Sequence, residues 1–424
     1  MGVGFHLIGR HEGGQSFLGP VEDWLRQECK DTWMAGGSVT DADGRPALQV
    51  VLHPTAEAIE LVAFDPRTLV VSAKTSSVGP GYHVYLCELL QRMGVALGIQ
   101  WDPPDAERAN LDDTGFFHTG DRSGVAGAML EWLQSSAKRA LEILDRGYDG
   151  LGLSMPADSQ FQHELAISTV MGPRDRAWLE RVAEDPGAGV DIFPWWDEGL
   201  GATYLLGRAM CQMWTDVRWR DPMSPDERTL LSQVVRLLGQ AYRVDPTLPY
   251  PTREWQEILG LLGIEDPSVE EALQRHPVIE DAPKIGFRRL PIRAQLPEEW
   301  TITVPGSFAT RYEEDGRWTA FEVGRSVSVA CQASRAQDGS PAAVEELLEG
   351  VRAIEGEPLD YAGERVVGVA RVTPSAEGEG WVLTGACAVP GSVAMCSISF
   401  HDESRRAWAV ATWQSLDHAV GEGA

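Results

Sequence analysis

A chain of 424 residues is too long for one ordinary core, and at about 100 to 200 residues per domain it divides into two or three domains. Its 63 acidic and 36 basic residues leave a formal charge of -27, which argues against a nucleic-acid or anionic-membrane surface, because both are held by clustered Lys and Arg. An apolar content of 43% is that of a globular protein, no apolar run approaches the roughly 18 to 20 residues that span a bilayer, and the start MGVGFHLIGRHEGG has no basic segment followed by an apolar one, so the cytoplasm is expected.

Six cysteines sit singly in apolar surroundings, with no Cys/His spacing that suits zinc, and read as buried thiols rather than a disulfide framework. Arginine far outnumbers lysine, and Ala, Gly and Val are abundant, a bias that GC-rich coding in a bacterium produces.

The first segment mixes strands and helices. ALQVVLHP (Ala47 to Pro54), AIELVAFD (Ala58 to Asp65) and TLVVSAKT (Thr68 to Thr75) are β-branched runs parted by turn residues, which predicts an antiparallel meander. After Gly79-Pro80-Gly81 the period changes: Val84, Leu86, Cys87, Leu90, Met93 and Val95 recur near helical spacing, and a second helix is expected from about Val125 to Leu144.

From about Gly172 to Arg275 helices dominate. Leu205, Leu206, Ala209, Met210, Met213, Trp214 and Val217 mark a helix with a broad buried face. Ser224-Pro225-Asp226-Glu227 opens the next, with an N-cap serine, proline at the first helical position and glutamate at the third. Another follows from about Arg253 to Leu262. AYRVDPTLPYPTREWQEIL has the flavour of a tetratricopeptide turn, but no fixed period supports a repeat.

Residues 277–289 read as a linker, and strand signals then return. Asp315-Gly316 lies between two strand-like runs, a strong hairpin signal, and RSVSVACQ continues it. Ser340-Pro341 is expected to open a helix with the stripe Val344, Leu347, Leu348, Val351 and Ile354. Four further strand-like runs follow, ERVVGVARV, GWVLTGACAV, SVAMCSISF and AWAVATWQSL. The expected architecture is therefore an α+β multidomain protein: a mixed α/β domain over 1–171, a helical region over 172–276, the linker, and an antiparallel sheet with a helix over 290–424.

The order of that last third, an opening LPEEWTITVPGSF, a hairpin, a strand, one helix, a strand meander and a closing ATWQSL, resembles the PsbP/Mog1/DcrB-like α+β domain. The resemblance lies in the pattern and in no invariant chemical motif. It implies an antiparallel sheet packed on helices, and a binding or accessory role, one branch being chaperones of secreted bacterial effectors. It carries no catalytic residue across.

Two stretches invite a functional reading. Lys74, Gly79, Gly81 and His83 surround a strand-to-helix loop, where a cation, close backbone approach and helix amides could hold an anion. The loop is not GxxxxGK[ST], and Pro80 removes one amide from such a cradle, so the simpler reading is that glycine and proline punctuate the chain. The second stretch is VDIFPWWDEGLG, where Phe193, Trp195, Trp196, Asp197 and Glu198 set rigid aromatic area beside carboxylates, as a surface for an Arg- or Lys-rich protein partner would. The alternative is that these aromatics plug a seam in the core.

His6, His11 and Glu12 match no metal-binding spacing, and neither does His163-Glu164; no GxSxG elbow is present, so no catalytic residue, metal or cofactor is assigned. The expectation is a bacterial, non-enzymatic protein that binds a basic protein partner, in an immunity or chaperone-like role, with an enzyme or small-ligand sensor built on the Lys74/His83 loop as the rival.

Overall fold

The computed structural model describes residues 2–12, 17–104, 110–148, 150–153, 155, 159–161, 167–277, 283–376, 378 and 380–419. His163 and Glu164, and 278–282 of the linker stretch, lie outside them. The protein is α+β, with several antiparallel sheets and many helices, and divides into two compact units. One comprises Met1–Met155, His163–Val217 and Ser224–Gly286; the other comprises Pro156–Gln162, Arg218–Met223 and Phe287–Ala424. Among the described residues no helix is long and apolar enough to cross a membrane.

The first unit opens with β1 (Gly4–Arg10), α1 (Leu18–Glu28) and the strands β2 (Ala35–Thr40), β3 (Pro46–Val51), β4 (Ile59–Asp65) and β5 (Thr68–Lys74). Strands β3 to β5 form the expected meander, each antiparallel to the next, and β2, which the sequence pattern did not signal, pairs antiparallel with β3. Strand β1 pairs antiparallel with the outer side of β5, from Gly4 opposite Lys74 to Arg10 opposite Thr68. It then receives β6 (Gln100–Trp101) and β7 (Leu111–Asp112) on its own far side. Helix α2 (Pro80–Leu97) packs on this sheet: Leu86, Leu89 and Leu90 meet Phe5, Leu61 and Val71 in one buried cluster. Gly98 in the left-handed region, at φ 69°, ends the helix, a conformation glycine adopts without steric cost.

After α3 (Phe116–Thr119) comes α4 (Arg122–Asp145), capped by Asp121, whose carboxylate accepts from the Ser123 amide. The short strands β8 (Leu151–Leu153), β9 (Ser159–Phe161), β10 (Ile167–Thr169) and β11 (Gly172–Arg174) follow; β9 belongs to the second unit. Helices α5 (Arg176–Glu184), α6 (Ala202–Thr215), α7 (Pro225–Val244), α8 (Thr252–Leu262) and α9 (Pro267–Arg275) complete the first unit. The start of α7 is as its sequence predicts, the Ser224 hydroxyl accepting from the Glu227 amide at 3.2 Å.

In the second unit β12 (Pro291–Gln295) and β13 (Trp300–Pro305) pair with each other, β9 lies on β12, and β21 (Asp417–His418) lies on β13. The larger sheet uses β14 (Ala309–Tyr312), β15 (Trp318–Glu322), β16 (Arg325–Ala333), β17 (Glu357–Ala362), β18 (Val367–Pro374), β19 (Trp381–Val389) and β20 (Ser392–Phe400), all antiparallel in the order β14-β15-β16-β20-β19-β18-β17. Gly316, at φ 82°, turns the β14–β15 hairpin that Asp315-Gly316 predicts. Helix α10 (Val344–Arg352) lays Leu348 and Val351 on Val369, Ala386 and Ala388. The opposite face is covered by α11 (Arg406–Gln414), whose Trp413 fills the space left by Gly368 and Gly385.

Two sequence expectations are corrected here. AWAVATWQSL is mostly helix α11, because its buried residues Ala409, Thr412 and Trp413 recur at spacings of three and four rather than two. Helix α10 starts at Val344, not at Ser340-Pro341: Pro341 forms an isolated antiparallel bridge with Arg335 before the helix begins. Of the cysteines, Cys331 is half-buried and the other five are buried.

Candidate functional site

The two stretches singled out in the sequence occupy the same place. Gly79 and Gly81 do permit a close backbone approach, but the backbone that approaches is the protein's own. A Cβ on Gly81 would lie 2.2 Å from the Asp197 carbonyl oxygen, and one on Gly79 would lie 2.7 Å from that of Trp195. The Gly81 amide donates to the Trp195 carbonyl at 3.1 Å, and the Trp195 amide donates to the Val78 carbonyl at 3.1 Å. The loop that could cradle an anion therefore holds the segment at Trp195.

Burial follows from this packing. Phe193 and Trp195 are 5% and 1% exposed, which takes them out of any partner surface and puts them in the core. Trp195 touches Tyr82, Tyr85 and Tyr204, at ring separations of 5.6, 5.1 and 4.2 Å, and its indole N–H donates to the Gly199 carbonyl. Trp196 is half-buried, while Asp197 and Glu198 are exposed, Glu198 pairing with Arg122. Lys74 points to the outside and pairs with Glu57 at 2.7 Å.

His83 is fully buried and joins a different arrangement. Its Nδ1 meets the Thr75 hydroxyl at 2.9 Å, while its Nε2 lies 3.0 Å from both Asp112 and the Thr114 hydroxyl. Asp112 also accepts from the amides of Thr114 and Phe117. Burial opposes its charge, but the hydrogen bond and charge of His83, with those two amides, outweigh it and hold the carboxyl down at about 2. Cys87, one helical turn beyond His83, brings a third ligating atom within 4.8 Å of the other two. Both imidazole nitrogens and both carboxylate oxygens already have protein partners, and burial pushes the thiol well above its ordinary range, so we read this trio as a structural clamp between β5, α2 and β7. His6, His11 and Glu12 do not converge: His6 bonds Ser72, His11 stacks on Phe17 and Glu12 faces Arg67.

Beneath Trp195 lies a polar group that the sequence reading missed. Arg208 of α6 is 2% exposed, and its Nη1 donates to the Tyr204 hydroxyl and to the Asp31 carbonyl. Its Nε, the Tyr82 hydroxyl and His53 Nε2 are all buried and have no protein hydrogen-bond partner. The available signal was the spacing Tyr204, Arg208, Gln212, which sets three polar side chains on the apolar face of one helix.

The second unit holds a cleft of about 380 Å³ lined by Arg218, Trp219, Arg288, Arg289, Leu290 and Ser307, among others, with no Asp or Glu among its described walls. Arg218 Nε donates to the Phe308 carbonyl and Arg220 Nε to that of Ser307, each at 2.8 Å, which fixes the short 218–220 segment against the turn after β13. Arg289 stacks over the Trp219 ring, its guanidinium carbon 3.7 Å from the ring centre. Trp219 stands at φ 54°, an uncommon conformation for a bulky residue, and its indole nitrogen is buried without a hydrogen-bond partner. Gly306 lets the walls meet, since a Cβ there would fall 2.4 Å from the Leu290 carbonyl. A larger groove of about 480 Å³ lies at Tyr250, Arg253, Glu254 and His276, but there Arg253 is paired with Glu254.

No protein-family model matches this chain, and no curated protein matches it.

Proposed function

We propose that the protein is a binding protein for an anionic ligand, held in the cleft of Arg218, Trp219, Arg288 and Arg289. This keeps the anion-sensing role considered for the Lys74/His83 loop and moves it to another place. One observation carries it: in a chain of net charge -27, three arginines and a tryptophan converge on one cleft. Guanidinium groups match carboxylate and phosphate oxygens in pairs. Leu290 and the Trp219 ring suit a flat apolar portion, so the expected ligand is an aryl carboxylate or a phosphate ester. Calorimetric titration with benzoate, phenyl phosphate and inorganic phosphate tests this. Saturable binding that falls at least tenfold in Arg289→Ala, with an unchanged circular dichroism spectrum, supports the proposal. No saturable binding by any anion of either class overturns it.

A second reading, a factor that binds a basic protein, is favoured by residues 345–365, which carry seven acidic and two basic side chains around α10 and the edge strand β17. Pro358 removes one backbone donor from that edge, so a partner there would be recognised by charge more than by strand pairing. The resemblance of the last third to accessory and chaperone domains supports the same reading. Affinity capture from a bacterial source followed by association kinetics decides it: the on-rate should fall as salt rises. An association rate indifferent to salt counts against it.

A further inference from the structure

We propose that Arg208, His53 and Tyr82 form a buried site in the first unit for a small monovalent anion of about chloride size. Arginine stays charged, and a charge taken out of water needs a counter-charge or a full set of hydrogen bonds. Arg208 is 2% exposed, and its hydrogen bonds reach only two neutral oxygens, both through Nη1. No carboxylate lies within ion-pair distance of it among the described residues.

The surrounding groups point to an acceptor as the guest. His53 Nδ1 meets the Thr55 hydroxyl at 3.0 Å and accepts from the Thr55 amide at 3.3 Å; with Nδ1 the acceptor in both, we assign the imidazole proton to Nε2, which is fully buried and without a partner. Burial, reinforced by the positive charge of Arg208, holds the ring neutral by lowering its pKa to about 3. The Tyr82 hydroxyl is likewise buried and unpartnered, and burial keeps it protonated. Arg208 Nε, His53 Nε2 and Tyr82 Oη are thus three buried donors without partners, and the positive charge of Arg208 acts on His53. The rings of His53 and Tyr82 are 6.2 Å apart, and His53 lies 6.4 Å from Tyr204, whose hydroxyl holds Arg208. A cation is excluded by the guanidinium, and a large anion by the packed rings of Trp195 and Tyr204.

The test uses the full chain. Thermal unfolding is followed in sodium chloride, sodium bromide and sodium gluconate at equal ionic strength, gluconate being too large to enter. The midpoint should rise saturably with chloride and bromide and not with gluconate. Crystals grown in bromide should give an anomalous peak within hydrogen-bond reach of Arg208 Nε. Tyr82→Phe removes one donor and keeps the ring, and it should weaken the half-saturating halide concentration about five- to tenfold. Arg208→Met should abolish the dependence, and the bromide crystal decides the matter if that variant does not fold. Equal midpoints in all three salts, or a crystal in which only water meets these donors, overturn the proposal. Arg289→Ala should leave this halide effect unchanged, so its failure and that of the cleft are separable.

Discussion

The amide of Gly81 donates to the carbonyl of Trp195, and a side chain on Gly81 would collide with Asp197. This contact turns two apparent binding motifs into one structural joint. Gly81→Ala must push the 195–197 backbone away from the first turn of α2, and we expect it to cost about 2 to 4 kcal/mol, in the range of overpacked buried sites. Lys74→Ala removes only an exposed ion pair with Glu57 and should cost no more than about 0.5 kcal/mol. Urea denaturation of both variants measures the difference, and equal losses would contradict the joint.

The neighbouring tryptophans should separate as sharply. Trp195 is enclosed by Tyr82, Tyr85 and Tyr204, so Trp195→Ala should cost about 3 to 5 kcal/mol. Trp196 is half-buried and packs at the edge of the cluster around Phe193 and Trp132, so Trp196→Ala should cost clearly less. Equilibrium unfolding followed by circular dichroism ranks them, and a reversed order would refute the burial assignment.

Two buried groups predict how stability falls in acid. His53 has its pKa depressed to about 3, so the unfolded chain takes up this proton first, and stability declines as pH drops below about 6.5. Asp112, depressed to about 2, stabilises the fold fully above about pH 4, and its contribution, about 2 kcal/mol, is lost as pH falls through 2. His53→Phe should flatten the slope of unfolding free energy between about pH 6 and 4. Asp112→Asn should lower stability at neutral pH and flatten the slope only below about pH 4. Urea titrations across pH 7 to about 2 resolve the two arms.

Separating the second unit gives a further expectation. A fragment of residues 287–424 keeps the seven-stranded sheet with α10 and α11, but loses β9 from the edge of β12 and the Arg218 and Arg220 bonds to the turn after β13. It should give a dispersed amide spectrum with weakened protection confined to β12 and residues 305–308. A spectrum collapsed throughout would mean that the short segments are essential to the whole unit.

Much of the architecture was legible because it rests on near neighbours in the chain. The β3-β4-β5 meander, the capped start of α7 and the Asp315-Gly316 hairpin depend on hydrophobic period, cap chemistry and turn residues a few positions apart. Alternation failed at AWAVATWQSL, where aromatic and β-branched content looked like a strand while the packing of Trp413 against Gly368 and Gly385 required a helix.

Composition and local pattern by themselves determined the α+β class, the acidic balance, and local features such as the capped start of α7 and the Asp315-Gly316 hairpin. Only the tertiary structure decided that β1 pairs with β5 from Gly4 opposite Lys74 to Arg10 opposite Thr68, that β9 joins β12 across about 130 residues, and that Trp195 fills the space left by Gly79 and Gly81. It alone brought Arg218 beside Arg289, and His53 near Arg208. The reason is physical: a turn or helix start is stabilised by atoms a few residues away, whereas a buried charge or an arginine cleft is defined by which distant segments meet. That meeting depends on how the packed elements shed water together, which no short window of residues encodes.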